Sequence, residues 1–168
     1  MVAVLAVLVI IGAVIVPSLG GFYGNTKQRA AADIVRTRLA EARAKAMERG
    51  TPFRVAVNTD HNRIRVAPDT EDFASTPADD PPSYNSLCTE DKLDEATVEL
   101  IAEPGDERQT DTGGWITVAT MRGDGSSKEA RSTTVSIKQR DFAPILIQVR
   151  GLTGQARTVA GTPKGGQP

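Results

Sequence analysis

The sequence predicts an α+β fold in which a long N-terminal helix packs on an antiparallel β-sheet domain. Three observations lead there. Met1 to Thr26 carry no charged side chain, and residues 26–49 repeat apolar positions at helical spacing. Beyond residue 52, short alternating runs are separated by turn-forming residues. The length of 168 residues suits one domain plus an anchor, and a net charge of −1 gives no overall field toward nucleic acid.

The opening, MVAVLAVLVIIGAVIV, has no charged or strongly polar side chain. A helix over Met1–Phe22 would be about 33 Å long, close to the thickness of a bilayer core. Residues 1–24 are therefore expected to form a transmembrane helix, with Val4, Leu5, Leu8, Ile11 and Ile15 among its apolar positions. A cleaved secretory signal is the rival. It needs a basic n-region and a small-x-small cleavage site; no basic residue precedes the run, and Pro17-Ser-Leu-Gly-Gly matches such a site loosely. Pro17 removes a backbone donor and crowds the preceding turn, so a bend or local melting is expected there, with Gly20 and Gly21 loosening the chain beyond. The simpler alternative is that Pro17 ends the membrane helix.

Residues 25–50 continue the helix in amphipathic form. Ala31, Val35, Leu39, Ala42 and Ala46, with Ile34 beside them, make one narrow apolar stripe expected to pack on a sheet. The other face is charged, and Glu41 and Lys45 stand at the favourable i,i+4 spacing. Gly50-Thr-Pro52 supplies a stop signal. Residues 51–160 are expected to form a β-rich domain. Phe53–Asn58 and Arg63–Val66 form a hairpin around Thr59-Asp-His-Asn62, followed by strands at Thr97–Ala102, Trp115–Thr120, Thr133–Lys138, Ile145–Arg150 and Ala156–Val159. Residues 68–96 lack periodicity and predict a long acidic loop, and residues 161–168 a disordered tail.

Charge is distributed in blocks. Lys27–Arg49 holds seven basic and three acidic residues, whereas Pro68–Asp111 holds fourteen acidic and two basic ones, so the two mark distinct structural regions. Motifs for chemistry are scarce. His61 is the only histidine and falls in the hairpin turn, and Cys88 is the only cysteine, so no internal disulfide is available. The sequence contains no C-x-x-C, H-E-x-x-H or phosphate-cradling glycine loop. Asp69, Glu71, Asp72, Asp79 and Asp80 offer hard oxygens, but their spacing fits no calcium loop and they read as solvated. The expectation is a protein without cofactor, metal or small-molecule substrate, and not an enzyme.

The order of pieces resembles the GspH/FimT-type minor pseudopilins and pilins. An apolar run is followed by Pro17-Ser-Leu, Arg29-Ala-Ala-Ala-Asp, Leu39-Ala-Glu-Ala-Arg-Ala-Lys-Ala-Met47 and Gly50-Thr-Pro-Phe-Arg-Val55. Near the end, Arg122-Gly-Asp-Gly-Ser-Ser127 and Leu152-Thr-Gly154 are similar to that family's DGS loop and closing LTG turn. The resemblance implies a pilin-like fold, a single-pass inner-membrane protein with a periplasmic β domain, and a structural role in a type II secretion pseudopilus or a type IV pilus-like filament. Its partners would be other pilin-type subunits, met through the N-terminal helix. Family precursors begin with a basic leader, a glycine and a glutamate. Aligning Pro17 with the family's helix proline sets Met1 just after that glutamate, which predicts a late or shortened start. The positive-inside tendency would keep the basic side of the span cytoplasmic, opposite to the family orientation, and a missing leader would remove that conflict. The alternative within the family is a FimT-like pilin that binds DNA or a surface ligand through a GRxR motif. Here Gly154-Gln-Ala-Arg157 retains one of its two arginines, leaving Arg150, Arg157 and Lys164 as a thin basic set, too few for strong non-specific binding of nucleic acid.

Overall fold

The computed structural model describes residues 2–81, 83, 85–94, 96–101, 110–111, 113–139 and 142–160, with side chains from Thr26 to Val159. Among the described residues, one α-helix, α1 (Val2–Arg49), is followed by nine strands. They are β1 (Phe53–Asn58), β2 (Arg63–Pro68), β3 (Thr89–Lys92), β4 (Thr97–Ile101), β5 (Thr110–Asp111), β6 (Trp115–Met121), β7 (Thr133–Lys138), β8 (Ile145–Val149) and β9 (Ala156–Ala160). The tail over residues 161–168 and residues 102–109 lie outside the described residues.

The β domain is split into two sheets, where the sequence suggested one. Five strands run in the order β3-β2-β1-β6-β5 and four in the order β4-β7-β8-β9, all antiparallel. The β1–β2 hairpin turns at Thr59–Asn62, as its polar residues predict. A register shift at Val55/Ala56 leaves Val118 of β6 as the extra residue and bends β6 where it passes β1. Helix α1 closes one core shared by both sheets. Ala31, Val35, Leu39, Ala42 and Ala46 meet Val55, Ile64 and Val118 of the first sheet and Val98, Ile137 and Ile147 of the second. Alanines at three of those five helix positions let the backbone approach closely, so one narrow stripe can fill the space between two sheets.

Two expectations need correction. The helix is continuous through Pro17, Gly20 and Gly21, with no melted turn. A proline removes only one intrahelical bond, and the residues around it keep theirs. The expected loop over residues 68–96 contains β3 and a short 3-10 helix, Glu71–Ala74. Strand β3 reads Thr-Glu-Asp-Lys, which has no apolar alternation, so periodicity could not reveal it. Opposite charges hold it in place: Glu90 receives Arg63 at 2.6 Å and Arg65 at 2.7 Å from the neighbouring β2.

The 3-10 helix carries Phe73 onto the outer face of the first sheet. There Phe73 meets Trp115 edge-on with ring centres 6.5 Å apart, in a small second core with Ala56, Ala67 and Cys88. Arg54 stacks on Phe73 at 4.7 Å and Arg65 on Trp115 at 4.9 Å. Leu39, 2% exposed, tests the main core. Leu39→Ala is expected to cost about 2–5 kcal/mol in urea unfolding, while a change at the exposed neighbour Ala40 to Ser leaves the midpoint within about 0.5 kcal/mol.

Candidate assembly surface

The side chains of Val4, Leu5, Leu8, Ile11, Ile15 and Pro17 lie outside the described residues. Among the residues whose side chains are described, no helix is long and apolar enough to cross a membrane; the apolar run of α1 precedes those residues. The junction between the second half of α1 and the sheets is described in full, and it is more polar than the stripe suggested.

Arg38, Glu41 and Lys45 follow one another at spacings of three and four, a line beside the apolar stripe. Lys45 is wholly buried. Its ammonium donates to Glu41 Oε1 at 2.6 Å, to the Ser86 carbonyl at 2.7 Å and to Thr89 Oγ1 at 3.3 Å, so all three donors are used. The Thr89 hydroxyl in turn donates to Glu41 Oε1 at 3.1 Å. Arg38 donates to Glu41 and, through two nitrogens, to Asp91 of β3. Burial alone would raise the Glu41 carboxyl, but hydrogen bonds from Lys45 and Arg38, with their charges, outweigh it and hold the group below its ordinary pKa. Glu90 is also held low: burial opposes ionisation, and the bonds from Arg65 and Arg63 overcome it. At the other end of this half of the helix, buried Gln28 donates to the carbonyls of Ile137 and Ala143, both at 2.9 Å.

The two glycine-bearing turns that carried the family resemblance interlock beside the C-terminal end of α1. Ser127 N–H donates to the Leu152 carbonyl at 2.8 Å and Leu152 N–H to the Glu129 carbonyl at 2.7 Å. A Cβ on Gly151 would stand 2.5 Å from the Ala130 carbonyl oxygen, and one on Gly125 would stand 2.9 Å from Met47 Sδ on the helix. The DGS and LTG turns are thus packing devices in this chain.

The remaining candidates are placed as follows. Arg157 on β9 is exposed and its guanidinium donates to Gln148 Oε1 at 3.0 and 2.7 Å; Arg150 is exposed just beyond β8. His61 is exposed in the hairpin turn, with its ring 3.1 Å from Asn58 Oδ1. Cys88 is buried, and burial pushes its thiol up, away from the reactive thiolate. Of the acidic residues considered for calcium, Asp69 is taken by Arg54 and Lys128. Among the described residues, no group of three or more potential metal ligands occurs. Sequence reasoning missed Gln28, Arg38, and the burial of Lys45; their signal was register, since Gln28, Val35 and Ala42 are spaced by seven.

No family model and no curated protein matches the chain. In structure it is similar to the type IV minor pilin FimU of Pseudomonas aeruginosa (strain PAO1). One crystal form gives a TM-score of 0.54 at 12% identity, over 82% of this chain and 92% of that one. A second form gives 0.51 at 12% identity, over 78% and 91%. It is also similar to the minor pseudopilin EpsH of the Vibrio cholerae Type 2 Secretion System, with a TM-score of 0.54 at 16% identity over 80% and 97%. The chain has the α+β fold of GspH/FimT-like pilins.

Two expectations follow from this junction. Glu41 and Glu90 titrate lower when folded, so their stabilisation is complete above the ordinary glutamate pKa, about 4.3, and is lost as pH falls through the lower folded values. The melting temperature should hold near neutral pH and drop below about pH 4.3. Glu41→Gln should lower stability at pH 7 by about 3 kcal/mol, by leaving Lys45 buried without its anion, and should flatten that acid limb. Gly151→Ala should cost at least the upper end of the about 1–3 kcal/mol of overpacking, because backbone cannot give way. Gly50→Ala, in open space but at φ +65°, should cost only about 1 kcal/mol in the same denaturation assay.

Proposed function

We propose that the chain is a minor pseudopilin or minor pilin, a structural subunit of a type II secretion pseudopilus or type IV pilus-like filament, and not an enzyme. In this reading residues 1–24 sit in the inner membrane and later among sister helices, while the β domain projects into the periplasm. One observation carries it: a single 48-residue helix whose first half is uncharged and apolar and whose second half supplies the stripe that closes the domain core. An apolar run with no charge to bury enters lipid without the penalty of about 2.5–3.5 kcal/mol that each mid-bilayer charge brings. The likeness in fold to a minor pilin and a minor pseudopilin supports the same reading.

The mechanism is mechanical. A subunit of this kind transmits force and position through helix packing, so the domain must stay locked to its helix while the apolar half exchanges lipid for protein. The charged junction around Lys45 and the interlocked glycine turns supply that lock.

The reading is tested in a bacterium that assembles such filaments. The full chain should sediment with membranes and resist alkaline carbonate, whereas a chain beginning at Thr26 should remain in the soluble fraction. A photo-crosslinking residue at Ile11 should capture another pilin-type subunit, and the same residue at Thr59 should not. A full chain that stays monomeric and soluble without detergent would end the proposal.

A further inference from the structure

A groove of about 610 Å³ runs along the solvent side of α1. Asp33, Arg36 and Arg43 of the helix line one wall; Gly154, Gln155 and Ala156, where the last turn enters β9, line the other. Strand β9 stands at the edge of its sheet, bonded to β8 on one side, with no strand on its other side among the described residues. It contains no proline and no register break, and its one charged residue, Arg157, is turned onto Gln148 of β8. Unpaired amides and carbonyls beside an open groove are the requirements for adding a strand.

The charge of the groove selects what that strand would carry. Arg36 and Arg43 are seven residues apart on one helix, about 10 Å along its axis. Arg36 has only a loose, exposed contact with Asp33 at 3.8 Å, and Arg43 makes no ion pair among the described residues. Side chains on one face of an extended chain recur about every 6.8 Å, so two acidic ones can reach both guanidinium groups. We propose that this groove binds an extended acidic peptide segment of another protein, which pairs with β9 and sets its carboxylates against Arg36 and Arg43. Nucleic acid fits less well. Asp33 stands in the groove, no aromatic side chain lines it for base stacking, and an open strand edge matches a peptide backbone rather than phosphates. The inference stands apart from the filament reading, because any partner with such a segment would serve.

The probe is a fluorescein-labelled heptapeptide, Thr-Glu-Val-Glu-Val-Glu-Thr, titrated against the full chain in detergent micelles and followed by anisotropy. Binding should weaken about fivefold for each of Arg36→Ala and Arg43→Ala. It should vanish when alternate peptide amides are N-methylated, and when lysine replaces glutamate. Circular dichroism checks that both variants remain folded, which is expected because neither side chain belongs to the core. Absence of binding at millimolar peptide, indifference to N-methylation, or equal binding of the lysine peptide overturns the proposal. So does a single-stranded oligonucleotide that binds more tightly than the peptide with the same dependence on the two arginines.

Discussion

The structure depends on a buried ammonium being fully neutralised. Lys45 is fully buried where α1, the Ser86 carbonyl and β3 meet, and Glu41, Ser86 and Thr89 accept all three of its hydrogens. An unpaired charge there would cost several kcal/mol, so helix, loop and strand must arrive together or not at all. Such networks add little net stability compared with an apolar core of the same shape, and their effect is to define register. Any slide of the helix along the sheets would separate Arg38 from Asp91, and Lys45 from Ser86 and Thr89, at once, while the alanines of the stripe would tolerate it. The apolar stripe supplies cohesion, and the charged line beside it supplies position.

This division explains the opposite charge blocks of the sequence. Acid from the middle of the chain is spent on arginines of the helix and of the first sheet: Asp91 on Arg38 of α1, Glu90 on Arg63 and Arg65 of β2, and Asp69 and Asp111 on Arg54 of β1. A four-residue strand without one large apolar side chain is stable at a sheet edge because its carboxylates fall on guanidinium groups. The same pairing draws Phe73 across the outer face, since Arg65 also donates to the carbonyls of Phe73 and Ala74 at 2.7 and 2.9 Å. The acidic middle of the chain is thereby an internal cross-brace.

The elements legible in the sequence are those whose signal is periodic. The stripe from Ala31 to Ala46, the β1–β2 hairpin, and β6 to β9 can be read from spacing and turn residues to within about a residue or two, the usual uncertainty of element ends. Strand β3 and the partition into two sheets were not legible, because they depend on which distant charges meet. Arg38, Glu41 and Lys45 show the limit most clearly. Their spacing on one helix line was visible, but a charged line reads as a solvated face until the partner strand is known. The DGS and LTG turns were recognised by likeness alone; the contact between Gly151 and Ala130 that requires the glycine joins positions 21 residues apart and has no local signature.

Pairing of the internal charges also determines what the surface retains. Arg38 and Lys45 on α1, and Arg54 and Arg65 on the first sheet, are committed to partners inside the domain and cannot serve a ligand without loosening it. Arg36 and Arg43 lie on the other side of the helix, where among the described residues their one ion-pair partner is the exposed Asp33, at 3.8 Å from Arg36. A helix used as a strut needs one face fixed and leaves the opposite face available. Here the fixed face carries its charges in closed pairs, and the available face carries cations beside an unfilled strand edge. The same helix can therefore hold its own domain rigidly and still present a charged, directional surface, because the two tasks draw on different sets of side chains.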